Sequence, residues 1–302
     1  MSETTAGVPD VLKKIIAVKH EEVAALKARS SEAELRSKAQ NAPFPRGFLT
    51  ALIKASALAS AQVALIAEVK KASPSKGVIR EDFDPVWLAQ RYAAGGATCL
   101  SILTDEQFFQ GSLGFMRSAR AAVTLPVLRK DFIVDPIQIL ESRAAGADAI
   151  LLIAACLPPK LLWDLHEQAS AFGMDVLVEF HDEDEFESVM DVANGRKLPL
   201  VGINNRNLHT FDVSLQTTTS LAHWLLSEGS FLVAESGIFT GADVRTVRNA
   251  GARAILVGES LMKAGDPGEA ARQLLAGIGA MPVGLPNRDQ HRSLPDETIR
   301  RE

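Results

Sequence analysis

Apolar and polar positions alternate along this chain in two registers. Near the start, Val11, Leu12, Ile15, Ile16, Val23 and Leu26 recur at helical spacing among lysines and glutamates. That spacing predicts an amphipathic helix with one face on a core. Two prolines and a glycine between Asn41 and Gly47 break the pattern, and a short helix from Phe48 to Ala59 is expected after them. Beyond it, short runs rich in Val, Ile and Leu take over. The runs are Val63–Lys70, Cys99–Thr104, Pro126–Ile133, Ala149–Ala155, Asp175–Phe180, Leu200–Asn205, Phe231–Gly237 and Ala254–Gly258. Amphipathic stretches such as Val86–Ala94, Pro136–Ala145, Leu161–Phe172 and Ala242–Asn249 lie between them. Near-continuous apolar strands separated by helices indicate a parallel sheet buried on both faces. Eight such runs, about 25 residues apart, match the repeat of a closed α/β barrel, the (β/α)8 or TIM barrel.

Three helices end in similar phrases: Ala93-Ala94-Gly95-Gly96-Ala97, Ala144-Ala145-Gly146-Ala147-Asp148 and Asn249-Ala250-Gly251-Ala252-Arg253. Glycine supplies a left-handed helix cap there, and a strand follows. An open doubly wound sheet would carry a glycine-rich phosphate turn after its first strand. Here that strand ends in Glu68-Val69-Lys70-Lys71. The chain therefore divides into an N-terminal helical extension over 1–60, a barrel over 61–277 and a polar tail over 278–302. The tail holds Pro282, Pro286 and Pro295 without apolar periodicity and is expected to be disordered.

Composition removes several classes of function. Hydrophobic residues make up 47% and charged residues 23%, which excludes a disordered chain, a coiled-coil rod and a fibre. Lys+Arg of 32 against Asp+Glu of 37 gives −5. Nucleic acid is not an expected partner without a basic field. No apolar run reaches the ~20 residues of a membrane span. The first ten residues lack the basic-then-apolar order of a signal peptide. A cytoplasmic protein with no membrane partner is expected. Cys99 and Cys156 lie in apolar runs, as free thiols do in a reducing compartment. Neither belongs to a metal-ligand cluster, so no metal site is expected.

The chemistry gathers at strand C-terminal ends, which form the active face of such barrels. Side chains two apart on a strand point the same way. The first strand offers Glu68 and Lys70, the third Lys130, the fifth Glu179, the sixth Asn204 and Arg206, and the seventh Glu235. Burying these groups without partners costs several kcal/mol each. Two ammonium groups among carboxylates suit general acid–base work. Three loops suggest a phosphorylated ligand: Ser73-Pro74-Ser75-Lys76-Gly77, Ser236-Gly237 and Gly258-Glu259-Ser260. Loops after strands seven and eight are a recurrent barrel phosphate site, where glycine lets backbone N–H groups approach the oxygens. From the residues alone, Lys130 could also be the Schiff-base nucleophile of an aldolase. An isomerase and a non-catalytic phosphate-binding barrel stay open at this point as well.

Six phrases carry a closer resemblance. They are Ile66-Ala67-Glu68-Val69-Lys70-Lys71-Ala72-Ser73-Pro74-Ser75, Leu128-Arg129-Lys130-Asp131-Phe132-Ile133, Leu177-Val178-Glu179, Gly202-Ile203-Asn204-Asn205-Arg206-Asn207-Leu208, Val233-Ala234-Glu235-Ser236-Gly237-Ile238 and Leu256-Val257-Gly258-Glu259-Ser260-Leu261-Met262. In order and spacing, over about residues 9–275, the chain resembles the indole-3-glycerol-phosphate synthase family. The resemblance implies conversion of 1-(2-carboxyphenylamino)-1-deoxyribulose 5-phosphate to indole-3-glycerol phosphate, carbon dioxide and water, with no cofactor or metal. It implies Lys130 as general acid in ring closure. Lys70 would hold the substrate carboxylate or serve as acid in the dehydration, and Glu179 would be a catalytic carboxylate. Glu68 would orient the lysines or serve as the base in the dehydration, and Asn204 and Glu235 would order the sugar end. Arg206 would lie toward the substrate carboxylate, and Phe132 would be an apolar wall for the ring. Ser73, Ser236, Gly237, Gly258 and Glu259 would hold phosphate. Some members carry serine where this chain has Glu259, so phosphate there is expected to meet the backbone N–H. A monomer or weak homo-oligomer acting on a small phosphorylated substrate is expected.

Overall fold

In the computed structural model, which describes residues 10–57, 63–208 and 210–278, the eight apolar runs close into one parallel barrel. Its strands are β1 (Ala64–Val69), β2 (Cys99–Leu103), β3 (Val127–Lys130), β4 (Ala149–Ile153), β5 (Asp175–Phe180), β6 (Leu200–Asn204), β7 (Phe231–Glu235) and β8 (Ala254–Val257). Each strand pairs with its sequence neighbours, and β1 pairs with both β2 and β8, which closes the ring. Every strand position from β1 to β8 is buried except Lys130 and Asp175, which are half-buried. Two-sided burial is why the strands read as continuous apolar runs rather than alternating ones.

Helices sheathe the barrel. Among them are α4 (Pro85–Ala94), α5 (Leu113–Ala122), α6 (Pro136–Ala144), α7 (Pro159–Ala171), α8 (Glu183–Asp191), α9 (Gln216–Ser227), α10 (Gly241–Asn249), the one-turn α11 (Glu259–Met262) and α12 (Pro267–Ala276). The repeated glycine phrases do cap helices. Gly96 (φ +92°), Gly146 (φ +89°) and Gly251 (φ +111°) are left-handed. Gly95 serves a different purpose: a Cβ there would lie 2.3 Å from the Gly268 carbonyl oxygen. Its bare backbone lets α12 lie against α4.

The N-terminal segment forms three helices, not two. The chain breaks at Ser31, whose hydroxyl accepts from the Glu34 N–H. This separates α1 (Asp10–Arg29) from α2 (Glu32–Asn41), with α3 (Phe48–Ala57) following. The three clasp the barrel from end to end. Val11, Leu12 and Ile15 of α1 line the cavity at the barrel mouth. α2 packs along α6, where Arg143 donates to the Ala42 and Pro43 carbonyls. Phe48 and Leu52 of α3, both fully buried, plug the opposite end among Ala64, Cys99, Ala149 and Phe231. The expected end of the third helix at Ala59, the 60/61 boundary and the disordered tail lie outside the described residues, Ile278 excepted. Among the described residues no helix is long and apolar enough to cross a membrane. The first loop is a small hairpin pairing Ala72–Ser73 with Gly77–Val78.

Candidate active site

The barrel interior dictates where the charges go. Ile66, Leu128, Leu177, Leu200, Val233 and Leu256 pack inside it as an apolar layer. Two residues further along a strand the side chain points the same way. Those positions are Glu68, Lys130, Glu179, Gly202, Glu235 and Gly258. The apolar core thus ends in a layer of ionisable groups broken by two glycines. The glycines make room. A Cβ at Gly202 would lie 2.2 Å from Glu235 Oε1, and one at Gly258 would lie 2.3 Å from Glu68 Oε2.

Lys130 stands at the centre of that layer. Its Nζ lies 3.3 Å from Glu179 Oε2 and 3.4 Å from Glu235 Oε2. Burial alone would favour the neutral amine, but Glu179, Glu235 and Glu68 outweigh it and hold Lys130 well above the usual lysine range. An amine kept as ammonium suits a proton donor and does not suit a Schiff-base nucleophile, which must be neutral. Glu68 meets Lys70 at 2.5 Å. Burial opposes its ionisation, yet Lys70 and Lys130 keep its carboxyl below the usual range. Burial likewise opposes ionisation of Glu179, but Lys130, then His181 and Asn204, hold it far down. Glu235 goes the other way. Burial and the nearby Glu179 charge push it up to about 8 despite Lys130. The two glutamates form a coupled pair in which Glu179 is the anion and Glu235 keeps the proton.

Asn204 is fixed by both ends of its amide. Nδ2 donates to Glu179 Oε1 at 3.0 Å, and Oδ1 accepts from the Arg206 N–H at 3.0 Å. The Arg206 guanidinium donates to the Phe211 carbonyl at 3.2 Å and lies 3.4 Å from Glu259 Oε2. It therefore faces the Gly258–Glu259 side of the mouth. Glu259 also meets Lys263 at 2.7 Å, and these cations keep it ionised against partial burial. Its side chain is turned to cations, which leaves its backbone N–H as the group it can offer an anion.

The loops after β7 and β8 face each other across the mouth. Ser236 (φ +63°) and Gly237 (φ +76°) are consecutive left-handed residues. A Cβ at Gly237 would lie 2.4 Å from Val213 Cγ1, so only glycine fits. Gly258 caps α11, and Ser260 Oγ donates to the Ile238 carbonyl at 3.1 Å, tying the two loops together.

All thirteen residues singled out from the sequence line one cavity: Glu68, Lys70, Ser73, Lys130, Phe132, Glu179, Asn204, Arg206, Glu235, Ser236, Gly237, Gly258 and Glu259. The sequence missed several neighbours. Phe109 faces Phe132, their ring centroids 6.1 Å apart, and extends the apolar wall together with Leu208, Phe211 and Phe239. Asn205 is buried and donates to the Glu235 and Ser236 carbonyls, which pins the loop after β7. Lys19 of α1 is 1% exposed and meets Asp105 at 3.0 Å and Asp131 at 2.9 Å. Asp131 adjoins Lys130, so α1 is bolted to the strand end that carries the central lysine. Among the described residues no group of acidic, histidine and cysteine side chains could hold a metal ion.

A family model described as indole-3-glycerol phosphate synthase matches residues 12–274. The chain is 53% identical over 271 residues to the indole-3-glycerol phosphate synthase of Acidovorax sp. (strain JS42), covering 88% of this chain and 99% of the relative. It is 52% identical over 267 residues to that of Bordetella pertussis (strain Tohama I), again covering 88% and 99%. Among solved structures, the tryptophan synthase alpha subunit of Legionella pneumophila str. Paris superposes with a TM-score of 0.54 over 78% of this chain and 97% of its own. At 18% identity that likeness concerns the barrel fold alone.

Proposed function

The chain belongs to the indole-3-glycerol phosphate synthase family, and from that premise we propose how its mouth residues divide the work. The enzyme is a carboxy-lyase of tryptophan biosynthesis that acts on a phosphorylated substrate. It converts 1-(2-carboxyphenylamino)-1-deoxyribulose 5-phosphate to indole-3-glycerol phosphate, carbon dioxide and water. The ring carbon bearing the carboxylate attacks the ketone, carbon dioxide departs, and a hydroxyl leaves as water.

Lys130 donates the proton to the ketone oxygen as the new carbon–carbon bond forms. Glu179, held ionised, faces the cationic character that develops on the anilino nitrogen. Lys70 and Glu68, paired at 2.5 Å, serve the dehydration as acid and base, or Lys70 holds the substrate carboxylate before it. Protonated Glu235 and Asn204 order the sugar hydroxyls. Phe132 packs against the aromatic ring. Ser73, Ser236, Gly237, Gly258 and the Glu259 N–H bind phosphate, with Arg206 beside them or turned toward the carboxylate. The observation that carries this division is Lys130 kept as ammonium between Glu179 and Glu235. Purified protein incubated with the anthranilate-ribulose phosphate should build up indole fluorescence. Absence of indole product would overturn it.

We take 61–277 as the catalytic unit and 1–60 as its helical extension, whose α1 lines the mouth. We read the protein as a monomer or weak homo-oligomer in the cytoplasm, a setting in keeping with its two free cysteines.

A further inference from the structure

We infer that His181 is a positioning residue for the reaction: an imidazolium clamped between two carboxylates, it fixes the orientation and charge of Glu179. The inference rests on the proposed role of Glu179. His181 follows the end of β5 and lies two residues from Glu179. Its Nε2 is 3.4 Å from Glu179 Oε1, and its Nδ1 is 3.3 Å from Glu185 Oε2. Its backbone N–H donates to the same Glu185 oxygen at 2.8 Å, which locks the ring to the first turn of α8.

A neutral imidazole has one nitrogen that carries only a lone pair. A carboxylate oxygen lies 3.3 Å from Nδ1 and another 3.4 Å from Nε2, the latter as an ion pair without hydrogen-bond geometry, so the neutral ring leaves a lone pair beside an anion in either tautomer. The cation alone suits both sides. Burial would push the ring toward neutrality, yet Glu179 and Glu185 raise it to about 10. The adjoining turn presents Cys156, whose thiol is pushed far up by burial and by the same two glutamates. Across the adjoining groove, α1 presents Lys13 and His20, α8 presents Asp184, and Asp182 caps α8. Behind Glu179 stand Lys130, Glu235 and Asn204.

The clamp divides the Glu179 carboxylate. Oε1 faces Asn204 at 3.0 Å and His181 at 3.4 Å, while Oε2 faces Lys130 at 3.3 Å. His181 thus holds the far oxygen and leaves the near one to the reacting atoms.

Three measurements test this. Nitrogen-15 NMR of the wild-type protein at pH 8 should show one of the six histidines still as imidazolium. The variant H181Q should lose about tenfold or more in kcat with KM within about threefold, equally at pH 6 and pH 9. Glu185→Gln removes the outer carboxylate, so its kcat relative to wild type should be near one at pH 6 and fall by pH 9, as His181 loses its proton. A purely structural role would leave that ratio independent of pH. Six neutral histidines at pH 8 would overturn the inference even if H181Q failed to fold. Wild-type turnover with both variants unaffected would overturn it alone. Failure of the wild type to form indole product, or full activity in Glu179→Gln, would instead strike the functional reading beneath it.

Discussion

At the scale of single residues, the site is built on opposed carboxylates. Glu179 and Glu235 share one lysine, yet Glu179 ionises and Glu235 does not. Glu179→Gln preserves shape and removes that charge. It should fold normally and lose about 10²–10⁴-fold in kcat, and wild-type rates in the folded variant would show the charge to be dispensable. Glu235→Gln makes a different prediction. A carboxyl whose folded pKa is raised, to about 8 here, gives stability present below its unfolded value of about 4.5 and lost as pH rises toward 8. Glutamine mimics the protonated acid and escapes that loss. The variant should match wild type near pH 5 and exceed it near pH 8, by at most about 1.4 kcal/mol per pH unit between, while activity drops. Urea midpoints across that range test the sign. Gly258 was legible as a glycine but not for its full reason. The sequence suggests backbone approaching phosphate. The structure adds that a Cβ would strike Glu68, so replacing it should disturb the Glu68–Lys70 pair along with phosphate binding.

At the scale of elements, the strands were legible because they are buried on both faces, and the site residues because they interrupt those runs at one end. A charge after Leu128 or Leu177 is costly to bury unless it is paired, so its presence there marks a candidate site. Residues off the strands gave no such signal. Phe109 looks like any loop aromatic, and His181 falls just past the strand pattern. Lys19 reads as a solvated helix lysine because its partners, Asp105 and Asp131, are brought to it only by barrel closure. The break at Ser31 was hidden because polar residues surround it on both sides. Lys19→Met should strand two buried aspartates and cost about 3–5 kcal/mol. Arg129 and Lys19 hold Asp131 below its ordinary range against burial. Its contribution is therefore present above about pH 4 and lost as pH falls. The gap between variant and wild type should narrow in acid, which chemical denaturation at pH 7 and pH 3.5 can measure. At the α4–α12 contact, Gly95→Ala should cost about 1–3 kcal/mol by overpacking, seen as a lower melting temperature with kcat unchanged. An unaltered melting temperature would mean the helices can separate freely.

At the scale of the whole molecule, one barrel and its N-terminal clasp complete a site. The ring of strands aims an apolar layer inward and a charged layer at the mouth. α3 seals the base and α1 lines the rim, so the extension belongs to the site's architecture as much as to its stability. The architecture puts one ammonium group, Lys130, among the ionised Glu179 and Glu68 and the protonated Glu235, and the proposed chemistry turns on it. Its most direct test is Lys130→Ala, assayed by indole fluorescence for turnover and by equilibrium titration for binding of the product, indole-3-glycerol phosphate. Turnover should fall by at least about 10²-fold while binding stays within about tenfold, because the ammonium serves the transition state. Near-normal turnover in a folded Lys130→Ala protein would contradict it.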